Sequence, residues 1–426
     1  MIRGVGATLV AVLALLAFAV APAAAAPGAR FGIQDDAWLL YGPGTLDQRL
    51  TTLQGLGVGL VRLTVRWDQV SPAKPATPRD AADPSYRWGL YGEALDALHG
   101  RGMNALVTLY GAPRWSNGGL GPNRFPTDGS SFGDFASAAA ARFPWVRMWT
   151  VWNEPNTATF SSPVSPSAYV KQVLNPGYAA LHHASPRNLV AGGVTSPRKT
   201  PTGMAPLAFM QGMAAAHARL DAYAQNPYPL SPSETPTHTS CPTCSYFTMA
   251  TLPEIRADVS RYFGASKQLW LTEYGYQTNP PDRLLGVSYA RQAQYIGEAG
   301  LRVWRQRGVT VLVQFLVRDE PAVGGWQSGL YTVGGAPKPA VNAFALPLAQ
   351  IARSGSRVSL WGMVRPGSGA RSYVLQVKTG RAWRTVATGR TARNGAFTRS
   401  IVAARGSQVR LRSAALGYAG PTLKLS

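Results

Sequence analysis

Carboxylates are scarce in this chain: 20 of 426 residues are Asp or Glu, against 42 Lys and Arg, for a net charge of +22. Each acid set in an apolar context is therefore conspicuous. Cysteine is scarcer still. The two present, Cys241 and Cys244 in SCPTCSY, are too few for a disulfide framework. A single CxxC with no second pair is a poor zinc signal, and nearby His238 does not complete one. In an exported chain a small local Cys241–Cys244 disulfide is the expectation. No metal and no organic cofactor is implied. Beyond the first residues no run is apolar enough to span a bilayer. No GxGxxG follows the first strand-like run, which weakens a doubly wound dinucleotide fold. From Ala352 to Ser426 there is no Asp, Glu, His or Cys, so that stretch carries no acid–base chemistry.

What is present starts with a leader. Arg3, an apolar stretch from Ala7 to Val20 and a small-residue Ala-x-Ala tract read as a secretory signal peptide over 1–26. The alternative is a membrane anchor, disfavoured by the short apolar core running into Pro22. The expected mature protein is exported, extracellular or associated with the cell wall, and monomeric. About 400 residues exceed a typical single domain, so two are expected: a first over 27–350 and a second over 352–426.

Between Arg30 and Leu346, apolar runs alternate with helical stretches. The runs lie at 31–34, 58–65, 104–110, 146–152, 188–194, 220–225, 268–274 and 309–316. Near-continuous apolar strands alternating with helices predict parallel strands buried on both faces, and eight such units predict a (β/α)8 barrel. From Ala352 the pattern becomes short alternating strands (SRVSLWGMV, SYVLQVK, AWRTVAT, AFTRSIV, QVRLRS) separated by turn residues, which predicts a small all-β sandwich. Fourteen of the 22 excess positive charges lie there. Such a tail suits an anionic cell-wall polymer or acidic glycan better than nucleic acid, with plain solubility as the alternative. Trp361 and Trp383 are either sugar platforms or inward-facing core residues.

Two glutamates stand at strand ends of the barrel. Glu154, in VWNEPN, follows the fourth run, and Glu273, in WLTEYGYQT, ends the seventh. In a barrel the C-terminal strand ends share one mouth. Alone, Glu154 reads as a helix cap and Glu273 as an arginine partner. Facing each other with aromatics around them, they are the carboxyl pair that glycosidic bond cleavage needs. Tyr110 and Trp115, after the third run, are expected at the rim as stacking surfaces for a sugar, against ordinary loop packing. Asp35 and Asp36 are either hydroxyl acceptors or helix caps. Asp319 and Glu320 either line the cleft or pair with Arg318. His182 and His183 are expected on a helix surface.

Trp-Asn-Glu-Pro after the fourth strand and Thr-Glu-Tyr-Gly at the seventh resemble the retaining β-glycosidases of clan A, with glycoside hydrolase families 5 and 39 the nearest in appearance. The resemblance spans roughly 31–346. It implies double displacement on a β-linked oligo- or polysaccharide, with Glu154 as acid/base, Glu273 as nucleophile and Asn153 as donor to the sugar 2-hydroxyl. VRLTVRW matches the family pattern that assigns Arg62 to support the nucleophile, and NPYP supplies Tyr228 beside it. Two positions depart from the pattern. Asn226 stands where many relatives carry histidine. The strand-eight tryptophan is missing, with Gln314 or Phe315 in its place and Trp326 as a further sugar platform. The alternatives are a non-catalytic glycan-binding or cell-wall protein on a retired barrel, or a transglycosylase using the same residues.

Overall fold

The computed structural model describes residues 28–239, 241, 246–414 and 416–426. The expected signal peptide lies outside them. So does Cys244, and with it the expected Cys241–Cys244 disulfide.

Eight strands close into a parallel barrel: β1 (Arg30–Gln34), β2 (Leu60–Arg66), β3 (Asn104–Tyr110), β4 (Met148–Val151), β5 (Leu189–Thr195), β6 (Ala222–Gln225), β7 (Gln268–Tyr274) and β8 (Val309–Phe315), with β8 pairing back to β1. Each expected run overlaps one of them. The period of two along a strand divides every strand into an inward and an outward set. The inward set fills the lower barrel with Leu60, Leu106, Met148, Ala222, Trp270 and Val311. The outward set, such as Leu63, Val107 and Leu269, packs under the helices. One layer higher the interior turns polar, with Gln34, Arg62, Thr108, Thr150 and Thr272 all buried. That change of layer makes the floor of the candidate site.

An all-β unit follows. β9 (Leu348–Ser354), β10 (Arg357–Met363) and β13 (Ala396–Val402) form one antiparallel sheet. β11 (Ser372–Thr379), β12 (Ala382–Arg390), β14 (Gln408–Arg412) and β15 (Leu423–Lys424) form the other. Val358, Leu360, Leu375, Val409 and Leu411 fill the space between them, and Tyr373 stacks on Phe397 at 3.7 Å. The five expected strands are present. β9 and β15 are additional.

The two units share apolar surface. Trp361 of β10 is fully buried beside Leu301 and Met363. It is a core tryptophan, whereas Trp383 stays partly exposed. The barrel helix Tyr289–Arg305 meets β9 and β10 through two glycines. A Cβ on Gly297 would lie 2.5 Å from the Leu348 carbonyl oxygen, and one on Gly300 would lie 2.8 Å from the Trp361 ring. Arg365, just after β10, is buried between the rings of Phe31 and Phe344 at 4.4 and 4.3 Å. Burial pulls its guanidinium down to about 9.

Candidate active site

The site grows from Arg62. On β2, Leu60 points inward, so Arg62 does too, and its side chain has 0 % exposure. An arginine so placed needs every donor satisfied. Nε donates to Thr108 Oγ1 at 2.9 Å, and Thr108 in turn meets Thr150 Oγ1 at 2.6 Å. Nη1 donates to Gln34 Oε1 and, at 2.5 Å, to Glu273 Oε1. Nη2 donates to Asn153 Oδ1 at 3.0 Å. This last bond fixes the Asn153 amide so that its NH2 is available to the cleft that Asn153 lines.

Glu273 reaches this arginine through an irregularity. Trp270 and Thr272 face inward, so strict alternation would send Glu273 outward. The β7–β8 pairing shifts between Leu271 and Tyr274. The shift brings the Glu273 carboxylate onto Arg62 and sends Tyr274 outward against Tyr276. The second oxygen, Oε2, accepts from the Tyr228 hydroxyl at 3.0 Å. Burial and the Glu273 charge push the Tyr228 phenol well above its ordinary range, so it stays a donor. Both carboxylate oxygens are thereby engaged by hydrogen-bond donors.

Glu154 is held differently. It takes the left-handed backbone, φ 39°, as do Trp152 at 70° and Val194 at 49°. Side chains other than glycine occupy that region at a cost, and here local bonds fix it. Glu154 N donates to Val194 O at 3.0 Å, Thr157 N donates to Glu154 O at 3.0 Å, and Trp152 Nε1 donates to Phe160 O at 2.8 Å. The Glu154 carboxyl makes no ion pair among the described residues. Its Oε1 accepts from Asn226 Nδ2 at 3.0 Å, while Asn226 Oδ1 accepts from Thr272 Oγ1 at 2.8 Å. Burial first, then the nearby Glu273 charge, push Glu154 up to about 8. One carboxyl is thus held by a cation and a phenol. The other is kept protonated near neutrality.

The remaining expected residues divide. Tyr110 lines the cleft and packs edge-on against Trp152 at 4.8 Å. Trp326 lines it on both sides of Glu154 and lies over Tyr228 at 4.5 Å. Trp115 does not reach the cleft: its indole NH donates to Ser71 O at 2.8 Å and its ring packs edge-on against Trp67. Gln314 faces away as well. Val311 and Val313 point inward, so Gln314 points out, and its amide donates to the Phe315 and Ser328 carbonyls, both at 2.9 Å. Phe315 lines the cleft instead. Asp35 caps the helix Asp36–Tyr41 through Trp38 N and also accepts from Val317 N and Arg318 N. Burial still raises its carboxyl to about 6. Asp36 lines the cleft and accepts from Thr64 N and Gln34 Nε2. Asp319 pairs with buried Lys338 at 2.7 Å rather than with Arg318, and Glu320 accepts from Trp326 N. His182 pairs with Asp221 at 2.8 Å.

Sequence reading missed Gln34, Thr108, Thr150 and Thr272, the polar layer around Arg62. The signal was there: each is a polar residue on an inward position of an apolar strand. It also passed over Arg198, which lines the cleft beside Glu154 and whose guanidinium makes no hydrogen bond or ion pair among the described residues. No cluster of three or more His, Cys, Asp or Glu suited to a metal occurs among the described residues.

No family model matches the sequence, and no curated protein matches it. Solved structures do. The GH39 enzyme of Xanthomonas axonopodis pv. citri aligns over 94 % of this chain and 96 % of its own, with TM-score 0.55 and 16 % identity. GH5_18 from Streptomyces cattleya, in complex with GlcNAc, aligns over 75 % of this chain and 79 % of its own, with TM-score 0.55 and 17 % identity. A glutamate-to-alanine variant of that enzyme, in complex with Manb1-4GlcNAc, aligns over 74 % of this chain and 79 % of its own, with TM-score 0.55 and 17 % identity. The barrel of this chain is thus the fold that the GH39 and GH5_18 glycoside hydrolases share.

Proposed function

We propose that the protein is an exported glycoside hydrolase that cleaves β-linked glycans with retention. The observation that carries this reading is the contrast between the two cleft carboxyls: Glu273 is held by Arg62 and Tyr228, and Glu154 is raised to about 8 and makes no ion pair among the described residues. In the first step Glu273 Oε attacks the anomeric carbon as the Glu154 proton moves to the departing glycosidic oxygen. The C–O bond breaks, a glycosyl ester forms on Glu273, and the freed hydroxyl takes the proton. Forming that ester removes the negative charge that helps hold Glu154 protonated. Glu154 then ionises more readily and takes a proton from water as the water opens the ester. Arg62 is already bonded to Asn153, so the free amide of Asn153 is oriented to donate to the sugar beside the reacting carbon.

The GH39 and GH5_18 likeness supports a glycan as substrate, and the GlcNAc and Manb1-4GlcNAc complexes of GH5_18 fit a β-linked one. The Arg3-to-Ala26 leader pattern supports export. The test is reducing-sugar release by the secreted protein on a panel of β-linked polysaccharides, with Glu273→Gln as control. Release that vanishes in the folded variant supports the assignment. Equal release from the folded variant rules it out. No release from any polymer, with polymer binding retained, favours a glycan-binding barrel.

A further inference from the structure

The exposed face of the four-stranded sheet in the C-terminal unit is a second place where this molecule can meet a glycan. Leu375, Val409 and Leu411 point to the core, so the alternate positions point out. In register, Gln376 lies opposite Arg410, Val374 opposite Arg412, Lys378 opposite Trp383, and Gln408 opposite Lys424. Ser372, of the same parity, lies opposite Arg390, so one sheet face gathers five cations, Lys378, Arg390, Arg410, Arg412 and Lys424, with one indole among them. Contacts across the face agree with that register. The Arg410 guanidinium lies 4.2 Å over the Trp383 ring, and its Nε donates to Gln376 Oε1 at 2.8 Å. Lys378, Arg412 and Lys424 are exposed and Trp383 is half-buried.

The charge on this face has no answer within its own unit. No Asp or Glu occurs from Ala352 to Ser426. Burial and the neighbouring Arg412 both pull the Arg410 guanidinium down. Five like charges on one sheet face repel one another, and a polyanion relieves that repulsion. A flat indole among cations suits a sugar ring whose neighbours carry carboxylates: the ring covers the aromatic face and the acids meet Lys and Arg.

We propose that this face binds an anionic polysaccharide, a polyuronate being the simplest example, and holds the barrel against it. The choice of a glycan over another polyanion rests on the glycosidase reading of the barrel. The experiment is equilibrium binding of labelled polygalacturonate oligomers to the full chain carrying Glu273→Gln, so that nothing is cleaved. Beside it run a neutral β-glucan of equal length and a DNA duplex at the same salt. Polygalacturonate should bind, weaken as salt rises, and lose about tenfold or more in affinity in the triple variant Lys378→Gln/Arg412→Gln/Lys424→Gln. Trp383→Ala should weaken it separately, at an unchanged melting temperature. Undiminished binding by the triple variant, equal binding of the neutral glucan, or tighter binding of the duplex would each overturn the proposal. The assay reads binding without turnover, so failure of the cleavage reading and failure of this one are seen separately.

Discussion

Among the described residues, Asn226 is the side chain that hydrogen-bonds the Glu154 carboxyl. Its amide donates to Glu154 Oε1, which favours the ionised carboxyl, and Thr272 fixes the amide from behind. Asn226→Ala should therefore raise Glu154 further and move the alkaline limb of the kcat/KM profile to higher pH. Arg198→Ala should do the same more weakly, because Arg198 also favours the charged form. Unmoved limbs would separate Glu154 from the titration. The raised carboxyl also makes stability depend on pH, with a definite sign. Below pH 4.5, its ordinary value, Glu154 is protonated folded and unfolded and contributes nothing. Between there and about 8 the unfolded chain releases a proton the folded chain keeps, so stability falls as pH rises. Glu154→Gln should therefore melt at the parent temperature near pH 4 and above it at pH 7 to 8, while kcat falls by about 10²–10⁴. A gain of equal size at every pH would contradict this.

At the scale of elements, alternation explains both what the sequence disclosed and what it concealed. The eight apolar runs were legible because a strand buried on both faces has almost no polar residues to confuse its reading. Glu154, Glu273 and Arg62 stood out against those runs. Gln314 was misplaced because its neighbour Phe315, not Gln314, shares the inward parity of Val311 and Val313. Glu273 points inward only because β7 slips against β8, and nothing in WLTEYGY announces that slip. Trp115 looked like a rim residue because loop tryptophans near a mouth often are. Its indole is instead tied to Ser71 in a packed aromatic group. β9 was unread because it follows the last barrel helix directly. The contact it makes is unforgiving: Gly297 has no room for a methyl against the Leu348 carbonyl. Gly297→Ala should cost about 1–3 kcal/mol. Gly100→Ala, in the helix Gly89–Gly100 with open space around it, should be neutral or stabilising by up to about 1 kcal/mol. Denaturant midpoints of the two variants decide it.

At the scale of the molecule, barrel and sandwich melt as one unit if Trp361, Leu301, Met363 and Arg365 join them as packed. Trp361→Ala should cost about 3–5 kcal/mol and lower a single calorimetric transition. Two transitions, with only one lowered, would show that the halves fold apart. Such a joint fits the proposed division of labour, with the sandwich holding polymer and the barrel cleaving it.

In the proposed retaining reaction Glu154 and Glu273 take different parts. The measurement that reaches it most directly is azide rescue of the two alanine variants. The substrate is an activated β-glycoside of whichever sugar the polysaccharide panel identifies, and the products are read by NMR. Glu154→Ala should regain turnover in azide and yield the β-glycosyl azide, because the ester on Glu273 still forms and azide replaces water without needing a base. Glu273→Ala should yield the α-glycosyl azide, azide entering from the face the carboxylate has vacated. The reverse pairing, or no azide product from folded Glu154→Ala when the parent cleaves the same glycoside, would contradict the account.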